Sequence, residues 1–152
     1  MLKVQITKNG LTPFKIKVSA EDVGLTDEAG GSKFIDEIAV TGEIDDSGSL
    51  CLAKGRITCK KSFLCDRCLE PSIKNQIHDF NEEIGRDEIE EDIVDLTNII
   101  RDTIITSQPI KNLCKDDCKG LCPICGVNLN ESECGCNRFV ADPRLAVLEN
   151  LL

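Results

Sequence analysis

Ten cysteines in a chain of 152 residues are the side chains best placed to do chemistry, and eight of them fall in closely spaced pairs. Cys65-Asp66-Arg67-Cys68 and Cys122-Pro123-Ile124-Cys125 are Cys-x-x-Cys units. At that spacing two thiolates grip one zinc ion from a tight turn, and four such ligands make the closed tetrahedral site of structural zinc. Gly126 follows the second unit and can take the positive φ that turns backbone amides toward the thiolates. Cys134 and Cys136 come soon after, with Gly135 between them relieving the crowding of a Cys-x-Cys pair and Asn128-Leu129-Asn130 making the turn. Cys122, Cys125, Cys134 and Cys136 therefore form one compact set, the tail site. Cys65, Cys68, Cys114 and Cys118 form the other, the clamp site, which would pin the start of the tail to the segment around Cys65. A rival partition groups Cys114, Cys118, Cys122 and Cys125 and leaves the distant pairs to each other; the locality of the tail site favours the first. Two Zn²⁺ ions are the expected cofactors.

Other chemistries of four thiolates have weaker support. Iron–sulfur ligation uses four cysteines too, but the tail lacks the closely spaced three-cysteine runs of common clusters. A thioredoxin-like redox pair needs a strand–helix context that Cys65 and Cys68 do not have. Catalytic zinc keeps an open position and usually has histidines and a nearby base. His78 is the only histidine, and its place on a strand-like run beside Asp79 predicts an ordinary surface or edge residue. No nucleophile–base pair, phosphate-cradling glycine loop or metalloprotease helix is present. The expectation is therefore no enzyme, no catalytic residue and no small-molecule substrate.

The bulk properties are consistent with an intracellular metal protein. The chain has no basic start followed by an apolar stretch and no run long enough to span a bilayer, so the expected location is the cytoplasm, where paired thiols hold metal more readily than they form disulfides. A formal charge of −9 argues against simple non-specific nucleic-acid binding. Charge is segregated. Lys54, Arg56, Lys60, Lys61, Arg67 and Lys74 stand against only Asp66 and Glu70, whereas Glu82 to Asp102 carries nine acids against Arg86 and Arg101. The acidic run reads as a solvated loop. Lys54, Arg56, Lys60, Lys61 and Arg67 are the candidate contacts for RNA phosphates or a partner; the alternative is that they solvate a strand face. With no Trp, no Tyr and only five Phe, a base-stacking platform is not expected.

Elements that could position these groups follow from periodicity. Leu2, Val4 and Ile6, then Phe14, Ile16 and Val18, alternate with polar residues as strands do. Phe34 to Ile44 predicts a further strand, Asp45-Asp46-Ser47-Gly48 a hairpin turn, and Ser49 to Cys59 the return strand. On that strand Cys51, Ala53, Ile57 and Cys59 share the inward face, so Cys51 and Cys59 read as core. Ser72 to Ile84 predicts one more strand. Leu96, Ile99, Ile100 and Ile104 fit one helical face, with Asp95 a candidate N-cap and Pro109 a stop. Asp142-Pro143 would open a short last helix with Leu145, Leu148 and Leu152 on one face. The predicted class is α+β: a bent antiparallel sheet or partly closed β-barrel, a packed helix and a small zinc-bound C-terminal tail. Residues 1–108 form the strand-rich core, with the helix at about 95–106, and residues 109–152 the cysteine-rich tail ending in a short helix.

Several of these segments, taken together, resemble the YceD family, the large ribosomal RNA subunit accumulation proteins of bacteria. They are Val40-Thr41-Gly42, Cys65-Asp66-Arg67-Cys68-Leu69, the helix from Asp95-Leu96 to Arg101-Asp102, Cys114 to Cys125, Asn128-Leu129-Asn130 and Asp142-Pro143-Arg144-Leu145-Ala146-Val147-Leu148. The chain departs from the pattern with Gln108-Pro109 in place of Leu-Pro and Asp102 in place of Glu, and Cys122 to Cys136 resemble the cysteine-rich members. The resemblance implies a non-enzymatic cytoplasmic protein needed for large-subunit ribosomal RNA to accumulate. Its partner would be the large-subunit ribosomal RNA precursor or an assembly or ribosomal protein. The competing readings are a zinc-stapled adaptor for some other, basic protein and a thiol redox or metal-handling protein.

Overall fold

The computed structural model describes residues 2–25, 32–138 and 144. Period-two alternation through the first half of the chain becomes seven antiparallel strands: β1 Lys3–Gln5, β2 Leu11–Val18, β3 Lys33–Phe34, β4 Ile38–Asp46, β5 Leu50–Leu64, β6 Pro71–Gly85 and β7 Ile93–Asp95. One helix follows, α1 Thr97–Thr106. β5 is the centre of the main sheet. It pairs with β6 along its whole length on one edge, and with β4 and then β3 on the other, with β2 outside β4. β1 and β7 make a separate two-stranded ribbon.

The sheet stays open: β2 and β6 are its two edges and are not joined, so the partly closed barrel of the sequence reading does not form among the described residues. Two glycines face each other in the middle of the sheet. Phe14, Gly42, Gly55 and Phe80 lie in one row across four strands. A Cβ on Gly42 would fall 2.2 Å from the Lys54 carbonyl oxygen, and one on Gly55 would fall 2.6 Å from the Phe80 ring. The two glycines let the backbones crowd together, and the phenyl rings cover the gap that missing side chains leave.

The continuous strand expected from Phe34 to Ile44 is broken. Phe34 opposes Lys61 while Ala39 opposes Thr58, so five positions on one side match three on the other. The surplus falls at Asp36 and Glu37, a bulge that turns their carboxylates to solvent and ends the pairing of β3. The acidic run is not a loop either. It supplies the end of β6, a short turn at Arg86–Glu88, β7 and most of α1. Asp92 is held by Lys8 at 3.1 Å and by Arg86, which anchors β7 against the sheet.

Alternation on β5 places Cys51, Ala53, Ile57 and Cys59 in the core, with Ile38, Val40 and Ile44 from β4 and Phe80 and Ile84 from β6. The underside is closed by Val4, Val94, Leu96, Ile100 and Ile104. Asp95 serves the helix start from one residue earlier than a normal cap: Leu96 occupies the cap position and the Thr97 amide donates to the Asp95 carboxylate at 2.9 Å. α1 ends ahead of Pro109, which cannot continue it. The last helix expected from Asp142-Pro143, with Leu145, Leu148 and Leu152, lies outside the described residues. Among the described residues no helix is long and apolar enough to cross a membrane.

Candidate metal centres

The turn between β5 and β6 carries the first Cys-x-x-Cys unit. The Leu69 amide donates to the Cys65 carbonyl at 2.8 Å and the Cys65 amide to the Glu70 carbonyl at 2.9 Å, with Leu69 in the left-handed region at φ 60°. The chain after α1 then returns to this turn. The Asp66 amide donates to the Asn112 carbonyl at 2.9 Å, the Asn112 amide to the Asp66 carboxylate at 2.6 Å, and the Leu121 amide to the Arg67 carbonyl at 3.1 Å. Gly120, at φ 75°, permits this approach, since a Cβ there would lie 3.0 Å from the Arg67 carbonyl oxygen.

These contacts bring Cys65, Cys68, Cys114 and Cys118 together, with all four sulfurs within 4.8 Å of one another. Cys65 and Cys118 stand 3.8 Å apart and Cys68 and Cys114 3.6 Å. A zinc ion with bonds of about 2.3 Å to four sulfurs sets them about 3.8 Å apart, so the donor set fits that metal. It does not fit a disulfide, whose sulfurs lie about 2.05 Å apart. Cys65, Cys68 and Cys118 are buried among Leu113 and Leu121.

Cys122, Cys125, Cys134 and Cys136 gather in the same way, again within 4.8 Å. Here the Cys122 amide donates to the Val127 carbonyl at 2.8 Å and the Gly126 amide to the Cys122 carbonyl at 2.9 Å, with Gly126 at φ 74°. The cysteines thus assemble as clamp and tail sites, and the rival set of Cys114, Cys118, Cys122 and Cys125 does not come together. Gly135 plays no steric part: an added Cβ would meet nothing within 4 Å. The tail site is the more open of the two, with Cys125 exposed and Cys134 and Cys136 half-buried.

Electrostatics in both sites favour a cation. At Cys65 burial opposes the thiolate, but the amides of Cys114, Cys68 and Arg67 outweigh it and hold the thiol at about 6. The amides of Cys125 and Ile124 bring Cys122 down to about 6 as well. Their neighbours bear the cost of this charge. Burial and the nearby thiols push Cys114 up to about 12, and Cys125, burial and Cys134 do the same to Cys136. A divalent ion relieves that repulsion by replacing the remaining protons. Cys51 and Cys59 stand apart in the core, where burial raises both, Cys59 to about 11.

Two side chains for which the sequence suggested other roles, Asn130 in a turn and Arg67 as a candidate RNA or partner contact, complete the arrangement. Asn130 donates from Nδ2 to Cys118 Sγ at 3.4 Å and accepts the Lys119 amide at 2.9 Å, so it ties the tail turn to the clamp. The only signal for it was the Asn-x-Asn turn itself. Arg67 donates to the Cys118 carbonyl at 2.8 Å.

The basic candidates are placed very differently from one another. Lys54 is exposed between Glu43 and Asn81 across the neighbouring strands. Arg56 pairs with Asp79 at 2.7 Å and Lys60 with Asp36 at 2.9 Å. Lys61 leaves the set: it is 1% exposed, and its ammonium donates to the Gln108 side chain at 2.8 Å beneath the sheet. The alternation explains this, because Lys61 lies on the same face of β5 as Cys59 and Ile57. His78 is half-buried on the inward face of β6, and its Nε2 has no hydrogen-bond partner.

Comparison with known proteins assigns the arrangement to a family. The model of "Large ribosomal RNA subunit accumulation protein YceD" matches residues 75–152, just over half of the chain. The chain belongs to the YceD family. Its similarity to individual proteins covers shorter stretches. It is 38% identical over 58 residues, 38% of this chain, to the chloroplastic large ribosomal RNA subunit accumulation protein YCED homolog 1 of Arabidopsis thaliana. It is 39% identical over 71 residues, 47% of this chain, to uncharacterized proteins of Mycobacterium bovis and Mycobacterium tuberculosis. These stretches span only 18% and 33% of the relatives' own lengths. No solved structure matches. Cys114 to Cys136 fall inside the YceD match, whereas Cys65 and Cys68 precede it. Gln108 has a local role here as an acceptor for buried Lys61.

Proposed function

We propose that this chain is a non-enzymatic, zinc-binding factor of the reducing cytoplasm that supports accumulation of large-subunit ribosomal RNA. The YceD match over the segment that carries six of the eight clustered cysteines is the observation that carries the reading. In it, Cys65, Cys68, Cys114 and Cys118 hold one zinc ion and Cys122, Cys125, Cys134 and Cys136 a second. The ions supply a rigid cross-link between the sheet and the tail. The protein residues contribute the rest: amides that stabilise thiolates, Asn130 and Arg67 that orient the Cys118 loop, and apolar packing that excludes water from the clamp.

The partner is the large-subunit ribosomal RNA precursor or a protein of its assembly pathway, and the charge distribution favours the protein. Arg56 and Lys60 are already paired with carboxylates, Lys61 is buried and the chain carries a net −9, so little is left for counterion release from phosphates. The test is depletion of the protein in its source organism with quantification of ribosomal RNA. Large-subunit RNA should fall relative to small-subunit RNA and recover with the wild-type gene. An unchanged ratio would refute the proposal.

A further inference from the structure

β6 is a fifteen-residue strand that pairs with β5 on one edge only. Its other edge is unpaired among the described residues. An exposed edge of this length is a template for another strand, and natural proteins commonly blunt such edges with lysine, proline or a covering element. From Asp79 to Glu82 the edge is instead set beside α1, and the two elements bound a groove of about 420 Å³.

The identity of the lining residues fixes the orientation of this groove. On the strand side they are consecutive, Asp79, Phe80, Asn81 and Glu82. A groove across a sheet face would be lined by alternate residues, so this one runs along the edge, where main-chain groups are presented. On the helix side Asn98, Asp102 and Thr106 recur at the four-residue spacing of one helical stripe. The walls therefore offer an unpaired strand edge, polar helix side chains and three carboxylates, with no lysine or arginine lining the groove. Asp79 is partly satisfied by Arg56 and Asp102 by its neighbour Arg101 at 3.0 Å; both Glu82 and Asp102 remain exposed to solvent.

We propose that this groove takes an extended, lysine- or arginine-rich segment of a partner protein, added as an antiparallel or parallel strand to β6. Backbone hydrogen bonds to the strand edge would supply the docking, and Glu82 and Asp102 would select for basic side chains. The inference does not depend on the ribosomal role and stands or falls separately from it.

The test uses the full metal-loaded chain and a synthetic octapeptide alternating lysine and valine. Its counterpart is the same peptide N-methylated at alternate residues on its strand-pairing edge, prepared in both alternations. Binding is read by fluorescence anisotropy, and amide resonances of Asp79 to Glu82 by NMR. The unmodified peptide should bind and shift those resonances, one of the two N-methylated forms should lose at least tenfold in affinity, and Glu82→Lys with Asp102→Lys should cost a similar factor. Both substitutions are at exposed positions, and retained metal content would report an intact fold. Equal binding by all the peptides would mean charge attraction without strand addition and would overturn the proposal. So would insensitivity to the charge reversal, failure of the peptide to bind, or capture of a single-stranded RNA oligonucleotide at these resonances in its place.

Discussion

The sulfurs of Cys65 and Cys118, 53 positions apart in sequence, lie 3.8 Å from each other. Removing one ligand from this clamp should therefore release the tail from the sheet without dismantling the sheet. Cys68→Ser is expected to lower bound zinc from two ions per chain to one, with the tail site still loaded. Tryptic cleavage at Lys111, Lys115 and Lys119 should accelerate several-fold, while the circular dichroism of the strands stays unchanged. Loss of both ions would show the sites to be interdependent and contradict this expectation.

Metal affinity should strengthen as pH rises. Cys65 and Cys122, held at about 6 against an ordinary value of 9.0, stabilise the metal-free chain fully above about pH 9; that contribution is lost as pH falls through 6. Cys114 and Cys136, raised to about 12, act in the opposite sense: their contribution is present below about pH 9 and lost as pH rises toward 12. Zinc must displace the protons those two retain, so uptake near neutrality releases acid. Chelator competition at pH 6, 7 and 8 should give progressively tighter binding, and a weakly buffered titration should acidify.

The ten thiols should fall into two classes toward an alkylating agent. At pH 8 a thiol at about 11, as at Cys59, is ionised only about one part in a thousand, and Cys51 is fully buried. After chelation Cys65 and Cys122, held at about 6, should label first, the other clustered thiols should follow as that neighbouring charge is removed, and Cys51 and Cys59 should stay untouched until the protein is unfolded. Mass spectrometry of the labelled chain distinguishes the classes directly. Early labelling of Cys59 would show that β5 opens when metal is removed.

Gly42→Ala should destabilise the sheet by about 3 kcal/mol, because backbone atoms that have no room to move meet the added Cβ. The nearest, the Lys54 carbonyl oxygen, would be at 2.2 Å. Gly135→Ala is the matched control, with nothing within 4 Å of its added carbon and an expected effect near zero. Thermal denaturation of the two variants compares them.

The cysteine grouping was legible because short spacings restrict which thiols can reach a common ion, and the inward face of β5 because alternation carries through fifteen residues. The family resemblance rested on separated segments that the sequence alone could align. Lys61 was misplaced because the expected strand stopped at Cys59; carrying its alternation two residues further puts Lys61 on the inward face, where Gln108, 47 positions away in sequence, accepts from its ammonium. The break at Asp36 and Glu37 depends on register against β5, which only pairing defines. The acidic run had strand-forming Ile84, Ile89, Ile93 and Val94 within it, yet its charge density outweighed them in the reading. Openness of the sheet could not be derived from strand count, since closure depends on where the edge strands end.

The proposed function depends first on eight cysteines holding two zinc ions. Elemental analysis of anaerobically purified protein, combined with X-ray absorption at the zinc edge, tests it most directly. The account predicts two zinc ions per chain, each with four sulfur neighbours at about 2.3 Å. One ion per chain, iron with visible absorbance, or disulfides among the clustered cysteines would contradict it.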